Sequence, residues 1–170
     1  PTAEGTTLPP DTLAGNGQLP YDKVVTLFID ALGWRFVEPL LKKDPLLKRV
    51  QKEGTLTMIT SQFPSTTAVH ATTIKTGLTL GQHGIPEFSY YEPILDEVFN
   101  ALKTRYTAIP SMGQTKDSRL GAVYNLGGSF ANDLAFHDIP CFAFEPESHI
   151  ETPFNTKLDH RTTVAHYTSP

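Results

Sequence analysis

The chain has 170 residues, of which 39% are hydrophobic and 19% charged, with a formal net charge of −4; that suffices for one domain burying roughly two-thirds of its unfolded surface. The balance excludes disorder, the acidity disfavours nucleic acid as a structural partner, and nothing in the sequence reads as a membrane segment. Cys141 is the only cysteine, which excludes a disulfide framework and a thiolate-rich zinc site and leaves oxygen or imidazole to hold any metal.

Residues 1–20 are rich in Pro, Gly and Thr without apolar periodicity and read as a leader or surface arm, so the domain is expected over residues 21–170. Both ends read as cut, and no localisation follows, because a trimmed chain would have lost any signal. Lys23 to Asp30 (KVVTLFID) is a nearly unbroken apolar run closed by a carboxylate, the pattern of a strand buried on both faces of a parallel sheet. From Trp34 to Val50 the apolar residues recur at three- and four-residue intervals, and Pro39 and Pro45 divide this helical crossover into short pieces. Thr55 to Phe63 has the β-branched content of a second strand, ended by Pro64. The turn PSTT follows, then a helix over Ala68 to Thr76 stopped by Gly77, with Thr67 or its neighbour at the N-terminus.

Further on, Pro93 to Leu102 reads as a helix, Tyr106 to Ile109 as a weak strand, and Ser111 to Gly128 as a loop. Phe130 to Phe136 then reads as a helix and Cys141 to Phe144 as a strand. The alternation predicts an α/β fold with a mainly parallel central sheet and helices on both faces.

Two features carry chemistry: the strand-terminal Asp30, and the cluster Ser65-Thr66-Thr67 at a helix start after the next strand. Ligands of open parallel sheets bind beyond the C-terminal strand ends, where both features would lie. A helix N-terminus suits phosphate or sulfate, and a carboxylate suits a hard or borderline cation. A threonine hydroxyl is a poor nucleophile at neutral pH, and a metal held by Asp30 would stabilise its alkoxide. A strand-terminal Asp also caps turns and Ser/Thr clusters cap helices, so spacing alone leaves both readings open.

Read together, LFIDALGW (Leu27 to Trp34), FPSTTAVHATTIKTGLTLGQHGIPEF (Phe63 to Phe88) and SYYEP (Ser89 to Pro93) resemble the type I phosphodiesterase and nucleotide pyrophosphatase family of the alkaline phosphatase superfamily. The resemblance implies that Asp30 binds one of two divalent metal ions, zinc by family habit. It also implies that a threonine about ten residues before the Gly of the TG motif is the nucleophile, and counting back from Gly77 gives Thr67. Relatives place that threonine about three residues after a proline, and counting from Pro64 again selects Thr67 over Thr66. Phe88 falls where the nucleotide pyrophosphatases carry a phosphoryl-binding asparagine, which weakens transfer of nucleotide specificity. Leu80 stands where relatives often have proline.

The resemblance further implies an alkaline phosphatase-like fold present only in part, with an Asp-x-x-x-His pair, an Asp-His pair and a final His supplied by a missing C-terminal segment. Asp133 with His137, and Asp159-His160, have the bare spacing but lack the family's glycine contexts, and are read as coincidences. His70, three residues past Thr67, is expected to cap or to hydrogen-bond locally, with contact to the site as the alternative; His83 is expected to hold a turn, and His149 and His166 to lie on the surface. Glu145, Glu147 and Glu151 are expected on a solvated loop face, with a place nearer the site as the alternative for Glu145, which follows a predicted strand. The implied activity is metal-dependent hydrolysis of small-molecule phosphodiesters or phosphomonoesters through a phospho-threonine, with the isolated chain poorly active. The alternatives are a non-catalytic fragment or anion-binding domain, and a phosphonate or sulfate ester hydrolase of the same superfamily.

Overall fold

The computed structural model describes residues 21–108, 113–124, 126–147, 152–158 and 162–168. The expected surface arm, Ile109, Asp159-His160, His149 and Glu151 lie outside the described residues. The chain divides into two units, Pro1–Thr60 and Ser61–Pro170.

In the first unit the crossover forms in short pieces, as its prolines dictate. Helix α1 (Trp34–Val37) leads into a 3-10 turn at Glu38–Leu40, and helix α2 spans Pro45–Glu53. Asp44 caps α2 by accepting the Leu47 N–H at 2.9 Å, with Pro45 at the first position, where its missing N–H costs nothing. The apolar run Lys23 to Asp30 is not a ladder strand among the described residues, and its side chains are exposed, Val25 at 83%. Thr55 to Phe63 likewise pairs with no described strand.

The second unit holds the core. Helix α3 (Thr67–Thr76) starts at the N-cap Thr66 and stops at Gly77, whose φ of 71° is a left-handed conformation open to glycine. Helix α4 (Leu80–His83) follows, with Gln82 Oε1 accepting both the N–H and the hydroxyl of Thr79.

Strands β1 (Ser89–Glu92), β2 (Glu97–Asn100) and β3 (Arg105–Tyr106) make an antiparallel sheet in that order. The helix expected over Pro93 to Leu102 is therefore a hairpin turn and β2. Asp96 takes φ 56° in that turn, which an α-helix cannot contain, and Phe99 of β2 pairs with Tyr90 while its side chain is fully buried.

Helices α5 (Leu120–Val123) and α7 (Pro153–Leu158) pack with the sheet around Phe99, Tyr124, Phe154, Leu95 and Ile85, and α6 (Phe130–Phe136) packs on α3 and α7. Helix α5 falls inside the stretch expected to be loop. The rings of Tyr106, Phe99, Tyr124 and Phe154 follow one another at 6.0–6.3 Å between centroids, within the range of favourable edge contacts. Strand β4 (Phe142–Pro146) pairs in parallel with β5 (Thr163–Tyr167), and the sequence reading had given no strand to the polar stretch that holds β5.

The fold is thus mixed α/β; among the described residues the sheets are small, the larger is antiparallel and β4–β5 is parallel, so no large parallel central sheet stands out. No described helix is long and apolar enough to cross a membrane.

Candidate active site

The threonine cluster sits where the sequence placed it. Thr66 Oγ1 accepts the Val69 N–H at 3.4 Å and donates to the Pro86 carbonyl at 3.4 Å, joining the start of α3 to the turn after α4. Thr67 is the first residue of α3 and is exposed, while Ala68 and Val69 directly after it are fully buried. The buried pair fixes the helix face, and Thr67 is left at the rim. Helix N-termini carry about half a positive charge, which favours an anion beside that residue.

Two histidines brace this turn from opposite ends. His70 Nδ1 lies 2.8 Å from the Thr66 carbonyl and its Nε2 accepts the Gln62 N–H at 3.3 Å. Gln62 in turn donates from Nε2 to Thr73 Oγ1 at 2.7 Å and accepts the Leu80 N–H at 2.7 Å, so one side chain joins α3 to α4. His83 is buried; its Nδ1 accepts the Ile85 N–H at 3.1 Å and its Nε2 lies 3.3 Å from Thr73 Oγ1. An acceptor Nδ1 leaves the proton on Nε2, so the ring is neutral, and burial lowers its pKa from 6.5. Both rings fill the modest structural roles expected of them. Gln62 was missed, because one glutamine in an extended segment leaves no periodic or charge signal.

The C-terminal end of α3 is also anchored. Lys75 Nζ lies 2.6 Å from Glu145 Oε1 of β4 and 3.2 Å from Asn155 Oδ1 of α7, and Asn155 Nδ2 reaches Glu145 Oε2 at 3.2 Å. Glu145 is therefore not on the solvated face expected of it: its side chain is 16% exposed and ion-paired. Glu147 is exposed, as are His166 of β5 and both Asp133 and His137 at α6. Phe88 lies under the Lys103 ammonium at 5.7 Å and, as a hydrocarbon ring, cannot replace an amide as a phosphoryl donor.

Asp30, in the first unit, is an exposed carboxylate whose Oδ1 accepts the Ala31 N–H at 2.9 Å. Ala31 takes φ 59°, a left-handed conformation that costs an L-residue about 1–2 kcal/mol.

Among the described residues no group of three or more His, Cys, Asp or Glu gathers to hold a metal ion. The candidate donors amount to one carboxylate and one hydroxyl, fewer than the four ligands zinc takes, so the described residues do not by themselves fit a closed metal site. Two cavities open in the second unit, of about 480 and about 540 Å³, and Thr67 lines neither. The smaller has the buried Glu92 carboxylate in its wall, which is unfavourable for an anionic phosphoester.

The sequence profile of the family described as Type I phosphodiesterase / nucleotide pyrophosphatase matches residues 24–166. The chain belongs to this family. As a member of the type I phosphodiesterases it falls among phosphoester hydrolases that are generally metal-dependent. The match takes in both Asp30 and Thr67. Comparison with curated proteins and with solved structures gives no match.

Proposed function

We propose that this chain carries the nucleophile of a metal-dependent phosphodiester or phosphomonoester hydrolase, with Thr67 as the nucleophile and a metal ligand and Asp30 as a further metal ligand. The observation that carries the reading is the placement of an exposed threonine at the first position of a ten-residue helix, in a chain of this family. Two divalent ions, zinc by the resemblance, would complete the site in an alkaline phosphatase-like domain, with their other ligands outside the described residues. Bound metal would stabilise negative charge on attacking and leaving oxygens.

The protein's own groups do the rest. Thr67 Oγ1 attacks phosphorus in line, its proton is lost to solvent, and the bond to the leaving oxygen breaks as that oxygen takes a proton from solvent, giving a phospho-threonine and an alcohol. Water then attacks the same phosphorus and the bond to Thr67 Oγ1 breaks, releasing phosphate or a monoester. Inversion at each step gives net retention. The N-terminus of α3 holds the anionic group, and the buried Ala68 and Val69 keep the helix start from shifting as charge develops.

The test is Thr67→Ala in the longest natural form of the protein, assayed with an aryl phosphodiester in the presence of zinc. Loss of at least about a hundredfold in turnover is expected for removal of a nucleophile, together with loss of a phosphorylated species by mass. Undiminished turnover rejects the assignment. Parallel assays on phosphonate and sulfate esters decide the ester class.

A further inference from the structure

We infer that His70, held by Gln62, is a positioning residue for Thr67; the inference rests on the reading of Thr67 as nucleophile. The geometry fixes the ring's tautomer. The Gln62 backbone N–H can only donate, so Nε2, 3.3 Å away, must accept, and the proton lies on Nδ1, which donates to the Thr66 carbonyl at 2.8 Å. That carbonyl also accepts the His70 backbone N–H at 3.2 Å. Two donors from one residue therefore hold the peptide joining Thr66 to Thr67, and a peptide is planar, so holding its oxygen also sets the Thr67 nitrogen.

Helix formation does not explain this arrangement. The N-cap is already supplied by Thr66 Oγ1 on the Val69 N–H, and alanine in the first turn would favour the helix more than histidine does. The ring instead reaches outside the helix, to Gln62, which the Thr73 hydroxyl and the Leu80 N–H hold at 2.7 Å each. The Thr66 hydroxyl on Pro86 closes the brace from the other side. Thr67 is thus the exposed residue on a peptide fixed by α3, α4 and the chain on either side of them. A nucleophile displaced by 1 Å can lose about a hundredfold in rate, which is the kind of loss such a brace prevents.

The test uses the longest natural form of the protein with His70→Ala, His70→Phe and His70→Asn. Asparagine keeps a donor near the Nδ1 position, whereas phenylalanine keeps the ring and loses both bonds. On an aryl phosphodiester with zinc, the Ala and Phe variants are expected to lose about ten- to a hundredfold in kcat with KM within twofold, at unchanged folded content by circular dichroism. His70→Asn is expected to recover most of the rate. Nitrogen NMR of the His70 ring should show the Nδ1–H tautomer. A wild-type kcat in His70→Ala, an equal loss in His70→Asn, a fall in kcat that tracks folded content, or an Nε2–H tautomer overturns the inference. Thr67→Ala separates the two failures: if it is inactive while His70→Ala is unaffected, only the brace fails; if it stays active, the nucleophile assignment fails. In the longest natural form of the protein, a wild type that neither turns over nor takes up a phosphoryl group overturns both.

Discussion

Lys75→Met probes the tie that anchors the far end of α3. The Lys75 and Glu145 side chains are 20% and 16% exposed and meet at 2.6 Å. Breaking a fully buried pair costs about 3–5 kcal/mol and an exposed one about 0–1 kcal/mol. With four-fifths of each side chain withdrawn from water, and with the Asn155 amide still donating to Glu145 Oε2 at 3.2 Å, a loss of about 2–3 kcal/mol follows. At about 2–4 °C per kcal/mol for a chain of this size, Tm should fall by about 4–12 °C. Glu145→Gln keeps an acceptor and should cost less, about 1–2 kcal/mol. Urea unfolding of the two single variants and the double variant closes a thermodynamic cycle, in which the double should recover about 1–2 kcal/mol of the summed losses. Additive losses, or Lys75→Met within about 0.5 kcal/mol of wild type, the scatter of an ordinary surface substitution, would refute the reasoning.

Two further outcomes follow from the same unit. Gly77→Ala meets no atom within 4 Å of its new Cβ, so its cost is the left-handed backbone alone, about 1 kcal/mol after the gain from a stiffer unfolded chain; a urea midpoint equal to wild type would contradict the C-cap assignment. His83 has its pKa lowered by burial, so below about pH 6.5 the unfolded chain binds a proton that the folded chain refuses. Stability carried by His83 is therefore full above that pH and is lost as pH falls towards its folded value. His83→Asn should lose less stability than wild type between pH 7.5 and 5.5, and parallel slopes would show that His83 is not buried neutral.

The candidate site was legible where its signals were local. Thr66, Thr67 and Gly77 carry capping preferences at fixed offsets, and Pro39 and Pro45 interrupt a helix wherever they stand, so α3, α1 and α2 formed as the residues implied. The hairpin was misread because Ile94, Val98, Phe99 and Leu102 repeat with helical spacing, and only the pairing of β2 with both its neighbours settles the matter. The same limit applies to β5: Thr163 to Tyr167 has no apolar run of its own and is a strand because β4 lies beside it. Gln62 and Lys75 act across 18 and 70 positions of sequence, beyond the reach of any periodic pattern.

Glu145 shows what such long-range contacts decide. In β4 the order Phe-Ala-Phe-Glu alternates, and apolar patterning would turn the phenylalanines inward, since burying each stabilises by about 1.5–3 kcal/mol. The observed strand does the reverse: Phe142 and Phe144 are 65% and 78% exposed, while Glu145 is withdrawn from water. A carboxylate loses several kcal/mol on leaving water, so this facing stands only with a cation and donors waiting for it, which Lys75 and Asn155 supply. The ion pair therefore specifies which face of β4 turns inward as well as holding α3. Since period-two alternation ties every side chain of the strand to that choice, removing Lys75 destabilises the observed facing of β4 and the anchor at the C-terminal end of α3 together.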